Sequence, residues 1–202
     1  MNILHLDSSI LGDASVSRTV SASIVARLRE LHPDSQVVYR DLVDDAPMHL
    51  SDRHWAAAQG ALAPDALLGA DIALGSAYMD ELFAADMIVV GAPMYNYNVS
   101  SQLKAWIDRV VVAGKSFKYD GNGVEGLVKG KKVFIASSRG GYYLGDSPIA
   151  FLDHQETYLS GMLGFIGLTD ITTVRVEGVN YGPEVKAKEL VKAEAIIAEL
   201  AA

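Results

Sequence analysis

The sequence predicts an α/β protein built on a doubly wound, five-stranded parallel sheet with helices on both faces. Five short segments rich in β-branched residues recur along the chain, and several are unbroken apolar runs of the kind buried on both sides of a parallel sheet. Helical periodicity falls between them, as right-handed βαβ crossovers require. Of the 202 residues 50% are hydrophobic and 21% charged, which suits a single domain over 1–202 with a full core.

NILHLD at 2–7 reads as the first strand and QVVYRD at 36–41 as the second. Between them Val20, Ile24, Val25, Leu28 and Leu31 fall on one face of a helix that starts near Ser17. Residues 42–86 exceed what one crossover helix needs: a stretch around 51–60 is followed by Pro64, which opens a longer alanine-rich stretch up to Asp86. This excess reads as an elaboration of the same domain at an interface. MIVVGA at 87–92 is the third strand, with Leu103, Ile107 and Val110 marking the helix behind it. KVFIAS at 132–137 is the fourth and ITTVRV at 171–176 the fifth, and Val185, Leu190, Val191, Ile197 and Leu200 mark a last helix. In such a sheet ligands bind at the carboxyl ends of the strands.

Composition narrows the function classes. A net charge of −8 and a pI near 5.0 oppose non-specific binding to nucleic acid or anionic lipid, and favour a small neutral or zwitterionic substrate. With no cysteine there is no disulfide, thiolate metal site, iron–sulfur cluster or thiol nucleophile, so redox chemistry needs a bound cofactor. No apolar run reaches the roughly 20 residues of a membrane span, and the opening Met-Asn-Ile-Leu-His lacks a signal-peptide start, so a cytoplasmic location is expected.

Three polar loops follow strands one, three and four, which places them on one sheet edge. The first, DSSILGDASVSRTV, sets Ser8, Ser9, Ser15 and Ser17 with Gly12 before a long helix. Unpaired N–H groups and the positive dipole end of that helix suit a terminal phosphate without a lysine. Ordinary N-capping by one serine fits the same residues. The second loop lies in APMYNYNVSSQLKAWIDRV, 92–110, where Pro93 fixes its own φ and biases Ala92 to an extended conformation. The resulting stiff arm carries Met94, Tyr95, Asn96 and Tyr97, whose amides suit a heterocycle's nitrogens and carbonyls while the tyrosines stack or pack. A closed hydrophobic edge, with Asn98 or Ser100 capping the next helix, is the alternative use. The third, SSRGG at 137–141, offers close main-chain approach at Gly140 and Gly141 and donors at Ser138 and Arg139, with Arg139 favouring nearby negative charge. A Gly-Gly turn with a surface arginine is the plainer reading.

Other signals carry less. GNGVEG at 121–126 satisfies G-x-G-x-x-G but follows no clear strand and leaves no room for a βαβ helix, so it reads as a turn cluster. His5, His32, His49, His54 and His154 form no H-E-x-x-H pair, and no metal site is expected. The chain has no P-loop and no G-x-S-x-G elbow. In DHQETYLSGMLGFIG, 153–167, His154, Tyr158, Met162 and Phe165 share a helix face that suits core or subunit contact, with His154 its polar member.

LDSS followed by S-x-S, then APMYNYNVSSQLKAWIDRV, GKSFKY, GLVKGKKV, SSRGG, LGFIGLTD and VEGVNYGPE stand in this order nearly end to end. Together they resemble the FMN-dependent NADH azoreductases, also called NADH:quinone oxidoreductases, of the flavodoxin-like superfamily. The resemblance is weakest over 42–86 and around 142–153. It implies a flavodoxin-like sheet of order 2-1-3-4-5, non-covalently bound FMN, and a homodimer with its active sites at the subunit interface. By the same resemblance the FMN phosphate sits in the loop of Ser9, Ser15, Val16 and Ser17. The ring lies against Met94, Tyr95, Asn96 and Tyr97 and against Ser138, Arg139, Gly140 and Gly141. Tyr97 stands where many relatives carry phenylalanine. Phe117, Tyr119 and Phe165 are implied as walls of the substrate pocket.

The activity implied is ping-pong two-electron transfer, as hydride, from NADH or NADPH through FMN to quinones and aromatic azo compounds. No protein acid is strictly required, although His154 or a tyrosine could relay a proton as water could. A flavodoxin-like electron carrier, acidic and without NAD(P)H chemistry of its own, is the alternative, and a flavin-free binding domain with capped turns is a second. The length of the chain and the extra 42–86 material speak against a simple carrier.

Overall fold

The computed structural model describes residues 1–121 and 123–201. Seven strands are present among them: β1 (Asn2–Asp7), β2 (Gln36–Asp41), β3 (Met87–Pro93), β4 (Phe117–Asp120), β5 (Gly123–Gly126), β6 (Lys132–Ser138) and β7 (Asp170–Val176). Six α-helices accompany them: α1 (Val16–Leu31), α2 (Asp52–Ala58), α3 (Ala66–Ala84), α4 (Ser101–Val110), α5 (Gln155–Phe165) and α6 (Pro183–Ala198). The main sheet runs β2-β1-β3-β6-β7 and every pairing in it is parallel, the doubly wound 2-1-3-4-5 order when only its own strands are counted. The order reverses between β1 and β3, which makes the crevice at their carboxyl ends the place for a ligand.

Both faces of the inner strands are buried, which explains their unbroken apolar runs. In β3, Met87 and Val89 join α1 and α6 on one side, while Ile88, Val90 and Ala92 join the opposite core with α3, α4 and α5. The same alternation divides Val133 and Ile135 from Phe134 and Ala136 in β6. On α1 four members of the expected stripe, Val20, Ile24, Val25 and Leu28, are buried and the last, Leu31, is half-buried, and the helix begins one residue before the expected start, capped by Ser15. The stripe of α6 differs from expectation: Val191 is 70% exposed, and Ala193 takes the buried place beside Ile197 and Leu200. A small residue there lets the helix approach the sheet closely, which an apolar-residue pattern alone does not reveal.

Residues 117–126 are a correction to the turn-cluster reading. β4 and β5 pair antiparallel, Phe117 with Gly126 through Asp120 with Gly123, so GNGVEG contributes a strand, with Asn122 outside the described residues. Gly126 is required by contact: a Cβ on it would lie 2.2 Å from the Gly167 nitrogen, against the end of α5.

The 42–86 segment is held by charge as well as by packing. Asp71 on α3 accepts from the Met48 N–H at 2.7 Å, pairs with His54 Nε2 at 2.8 Å, and meets Arg109 Nη2 of α4 at 2.6 Å. His54, expected at the surface or in packing, is buried, and the N–H of Ser51 donates to its Nδ1. Burial pushes the Asp71 carboxyl upward, but the Met48, His54 and Arg109 contacts outweigh it and hold the carboxyl below its ordinary value. Asp65 caps α3 by accepting from Leu68, directly after the Pro64 that opens the segment.

Candidate active site

The loops after β1, β3 and β6 converge on one cavity of about 230 Å³. Ser9, Ser15 and Val16 line it from the first loop, Met94 and Tyr95 from the second, and Ser138, Arg139 and Gly140 from the third. A second cavity of about 460 Å³ shares Tyr95 and takes in Asn96, Asn98 and Tyr158. Among the described residues no group of acidic or histidine side chains has the arrangement of a metal site.

The first loop ends in an N-cap. Ser15 Oγ accepts from the Arg18 N–H at 3.2 Å and lies 3.1 Å from Ser17 Oγ, so Ser17 is buried behind Ser15 rather than lining the cavity. The capping use and the anion-binding use do not compete. The cap satisfies the third N–H of α1, while those of Val16 and Ser17 have no intrahelical partner and stand at the cavity end of a 16-residue helix.

The second loop is a tight reversal. Tyr95 and Asn98 exchange main-chain hydrogen bonds of 2.9 and 3.0 Å, and the two residues between them, Asn96 and Tyr97, have φ of 47° and 68°. Two positive φ values in a two-residue turn are the type I′ signature, comfortable for asparagine and strained for tyrosine by about 1–3 kcal/mol. Strain of this size at a cavity rim points to function. Tyr95 projects back to the first loop, its hydroxyl 3.0 Å from Ser9 Oγ and accepting the Ile10 N–H at 3.2 Å. Tyr97 is 41% exposed and meets Tyr143 edge-on at 6.0 Å. Of the two capping candidates for α4, Ser100 is the cap, accepting from Leu103.

The third loop shows its main chain to the cavity and hides its charge. Arg139 has no exposed side-chain surface: Nη1 pairs with Asp153 at 2.9 Å and Glu177 at 3.3 Å, and Nη2 lies 2.5 Å from Glu156. Its Nε donates to Ser137 Oγ and Gln155 Oε1. The expectation that Arg139 offers positive charge to a ligand is therefore corrected. Three carboxylates surround it, and what reaches the cavity is backbone. The carbonyls of Arg139, Gly140 and Gly141 all accept from Val179, Asn180 and Gly178, leaving the Gly140 and Gly141 N–H groups with no acceptor among the described residues. Gly140 is also sterically required, since a Cβ there would stand 2.5 Å from Asn180 Nδ2.

Val179 and Asn180 line the cavity and were not anticipated. They belong to a short 3-10 turn, Val179–Tyr181, flanked by Gly178 and Gly182 at φ of 66° and 111°. The glycine pair in EGVNYGPE was the available signal, but only the packing of this turn on the third loop gives it meaning. His154 does not enter either cavity: its ring is exposed, and its main-chain N–H donates to the Tyr97 carbonyl at 3.1 Å. Phe117, Tyr119 and Phe165 do come together, with ring centroids 5.4 and 4.6 Å from Phe117, but away from both cavities.

The arrangement, a helix start and hydroxyls from the first loop and free main-chain N–H groups from the third, with Met94 and Tyr95 from the second, has the donor set for a phosphorylated planar heterocycle. A family model described as flavodoxin-like fold matches residues 1–200. FMN-dependent NADH:quinone oxidoreductase 2 of Bradyrhizobium diazoefficiens is 54% identical over 190 residues, 94% of each chain. FMN-dependent NADH:quinone oxidoreductase of Bradyrhizobium sp. strain BTAi1 is 52% identical over 202 residues, 100% of each chain. Among solved structures, an azoreductase from Bacillus anthracis superposes with a TM-score of 0.84 at 27% identity, covering 99% of this chain and 100% of that one. Sheet order, site placement and sequence likeness over nearly the whole length agree: the chain belongs to the flavodoxin-like family of FMN-dependent NADH:quinone oxidoreductases.

Proposed function

We propose that this protein is an enzyme that holds FMN non-covalently in the cavity at the ends of β1, β3 and β6 and uses NADH to reduce quinones and aromatic azo compounds. One observation carries the reading: three strand-end loops present hydroxyls, a helix N-terminus and unpaired main-chain N–H groups to a single cavity. The names of the relatives, at 54% and 52% identity, support the same cofactor and donor.

The donor set fits FMN. Ser9, Ser15 and the first N–H groups of α1 suit the phosphate dianion, and the Gly140 and Gly141 N–H groups suit the polar edge of the ring. Held there, FMN would supply ping-pong two-electron transfer, as hydride, between NADH and the acceptor, in a chain that has no cysteine and so no thiol–disulfide couple of its own. The residues orient the ring and stabilise charge on it through main-chain donors, because Arg139 is already neutralised by Asp153, Glu156 and Glu177. Met94 and Tyr95 line the cavity and are the side chains against which the ring would lie, with a flat partner stacking on the ring's free face.

Phe117, Tyr119 and Phe165 take their role in a homodimer, where the aromatic cluster of one subunit faces the acceptor site of its partner. The 70% exposure of Tyr119 supports this use. Activity per chain then falls on dilution below the dimer's dissociation constant, and a fully active monomer would refute the shared pocket.

The test is an absorbance spectrum of the purified protein, repeated anaerobically with NADH and with NADPH, followed by turnover with menadione and methyl red. Bleaching by nucleotide and turnover of both acceptors with parallel initial-rate lines are expected. Flavin that bleaches but sustains no turnover would instead make the protein an electron carrier. A colourless protein that takes up no FMN would remove the reading.

A further inference from the structure

The arginine that follows Ser17 serves neither the cap through its side chain nor the cavity as a lining residue. The Arg18 guanidinium folds behind the first loop and donates twice to the Ser9 carbonyl, from Nε at 3.2 Å and from Nη2 at 2.8 Å. Its outer edge grips the carboxylate of Asp41 at the end of β2, Nη2 to Oδ1 at 2.7 Å and Nη1 to Oδ2 at 2.5 Å. Nη1 also donates to the Tyr39 hydroxyl at 3.1 Å, and that hydroxyl donates to Asp7 Oδ2 at 3.3 Å. Asp41 is itself fixed by the Val43 N–H, and Asp7 by the Ser21 hydroxyl. One side chain therefore ties together the ends of β1 and β2, the first turn of α1 and the loop between them.

All three guanidinium nitrogens are engaged, so Arg18 is not free to take a ligand. What it holds is Ser9. Among the described residues Arg18 is the sole donor to the Ser9 carbonyl, while Ser9 Oγ on the other side faces Tyr95 and the cavity. Residues 8–15 contain only the short turn Gly12–Ala14 as regular structure, so the loop has little else to set its path.

We propose that Arg18 is a positioning residue for the phosphate end of the cofactor: by clamping the Ser9 carbonyl to Asp41, it sets Ser9 Oγ and the start of α1 where they receive a phosphate dianion. The inference rests on the FMN reading above. Asp41 cancels the charge of Arg18, so the arginine contributes placement rather than net attraction. A lysine cannot replace it, because a single point donor does not bridge a carbonyl and both oxygens of a carboxylate. The consequence is local to one end of the ligand. Losing Arg18 weakens recognition of the phosphate and spares recognition of the ring.

FMN and riboflavin differ only in that phosphate. Each is titrated into the apoprotein of the wild type, Arg18→Ala and Arg18→Lys by quenching of flavin fluorescence, with thermal unfolding of each apoprotein alongside. The FMN dissociation constant is expected to rise about tenfold or more in both variants while that for riboflavin moves less than about twofold. Equal losses for the two flavins, or an unchanged FMN-to-riboflavin ratio in Arg18→Lys, would overturn the proposal. Should Arg18→Ala fail to fold, Arg18→Lys decides the matter alone. A wild type that binds neither flavin is a separate result, which removes the FMN reading itself.

Discussion

The Tyr95 hydroxyl stands 3.0 Å from Ser9 Oγ and accepts the Ile10 N–H at 3.2 Å, so a side chain launched from β3 closes the loop that follows β1. Two strand-end loops with no sequence proximity are joined at one oxygen. Tyr95→Phe keeps the ring and removes that link, at about 1 kcal/mol for a neutral hydrogen bond. FMN affinity is expected to fall by up to about fivefold in a fluorescence titration, with the apoprotein losing no more than about 1 kcal/mol of stability. Unchanged affinity would mean that the two loops hold their positions without the link.

Gly140 and Asn180 make a second such pair. A Cβ at 140 would lie 2.5 Å from the Asn180 amide nitrogen, and Gly140 is not at positive φ, so the backbone itself accepts alanine. Gly140→Ala is expected to cost about 1–3 kcal/mol through this overpacking. The loss should appear in FMN retention during gel filtration, and Asn180→Ala on the same background should recover most of it. A double variant as weak as the single one would place the defect elsewhere.

Removing Arg139 strands Asp153, Glu156 and Glu177 without their common cation. Breaking a buried ion cluster by taking away one partner costs about 3–5 kcal/mol. Arg139→Met should therefore lower the unfolding free energy of the apoprotein by that amount in a denaturant titration, a stability defect rather than a purely catalytic one. A variant with wild-type stability and poor turnover would restore Arg139 as a direct cofactor contact.

Asp41 supplies a pH test. The Arg18 hydrogen bond holds its carboxyl below the ordinary value of 3.8, with the Val43 N–H adding to the effect against the opposing pull of burial. A folded-state value below the unfolded one means that the pair stabilises fully above pH 3.8 and is lost as pH falls below it through the folded value. The acid limb of an unfolding-temperature profile should therefore be shallower in Asp41→Asn. At neutral pH that variant should be less stable by about 1.5–3 kcal/mol, the range for a hydrogen bond to a charged group. Parallel acid limbs for the two proteins would exclude the pair as their cause.

Much of the fold was legible because its signals are local. The β-branched runs at 2–7, 36–41, 87–92, 132–137 and 171–176 match β1, β2, β3, β6 and β7 to within a residue at either end. Ser15 and Ser100 begin their helices as side-chain caps, a role that their chemistry announces, while Asp65 caps α3 without having been singled out. The exposure of Val191 and the burial of Ala193 are not legible, because a hydrophobic residue in a helix does not say which side the sheet lies on and a small side chain gives no periodic signal.

The sequence by itself determined that three polar loops would end parallel strands on one edge, since strands joined by helical crossovers run parallel and finish on the same side of the sheet. It also determined that any redox chemistry must be borrowed, since the chain has no cysteine. Only the tertiary structure decided which way Arg139 points, because its partners Asp153, Glu156 and Glu177 come from outside its own loop and their summed charge draws the guanidinium inward. The tertiary structure likewise brought Val179 and Asn180 into the cavity and set Arg18 behind Ser9, contacts between segments far apart or folded back on themselves. Strand and helix signals act over a few neighbouring residues, whereas the direction of a buried charge follows from every opposite charge that folding brings within reach.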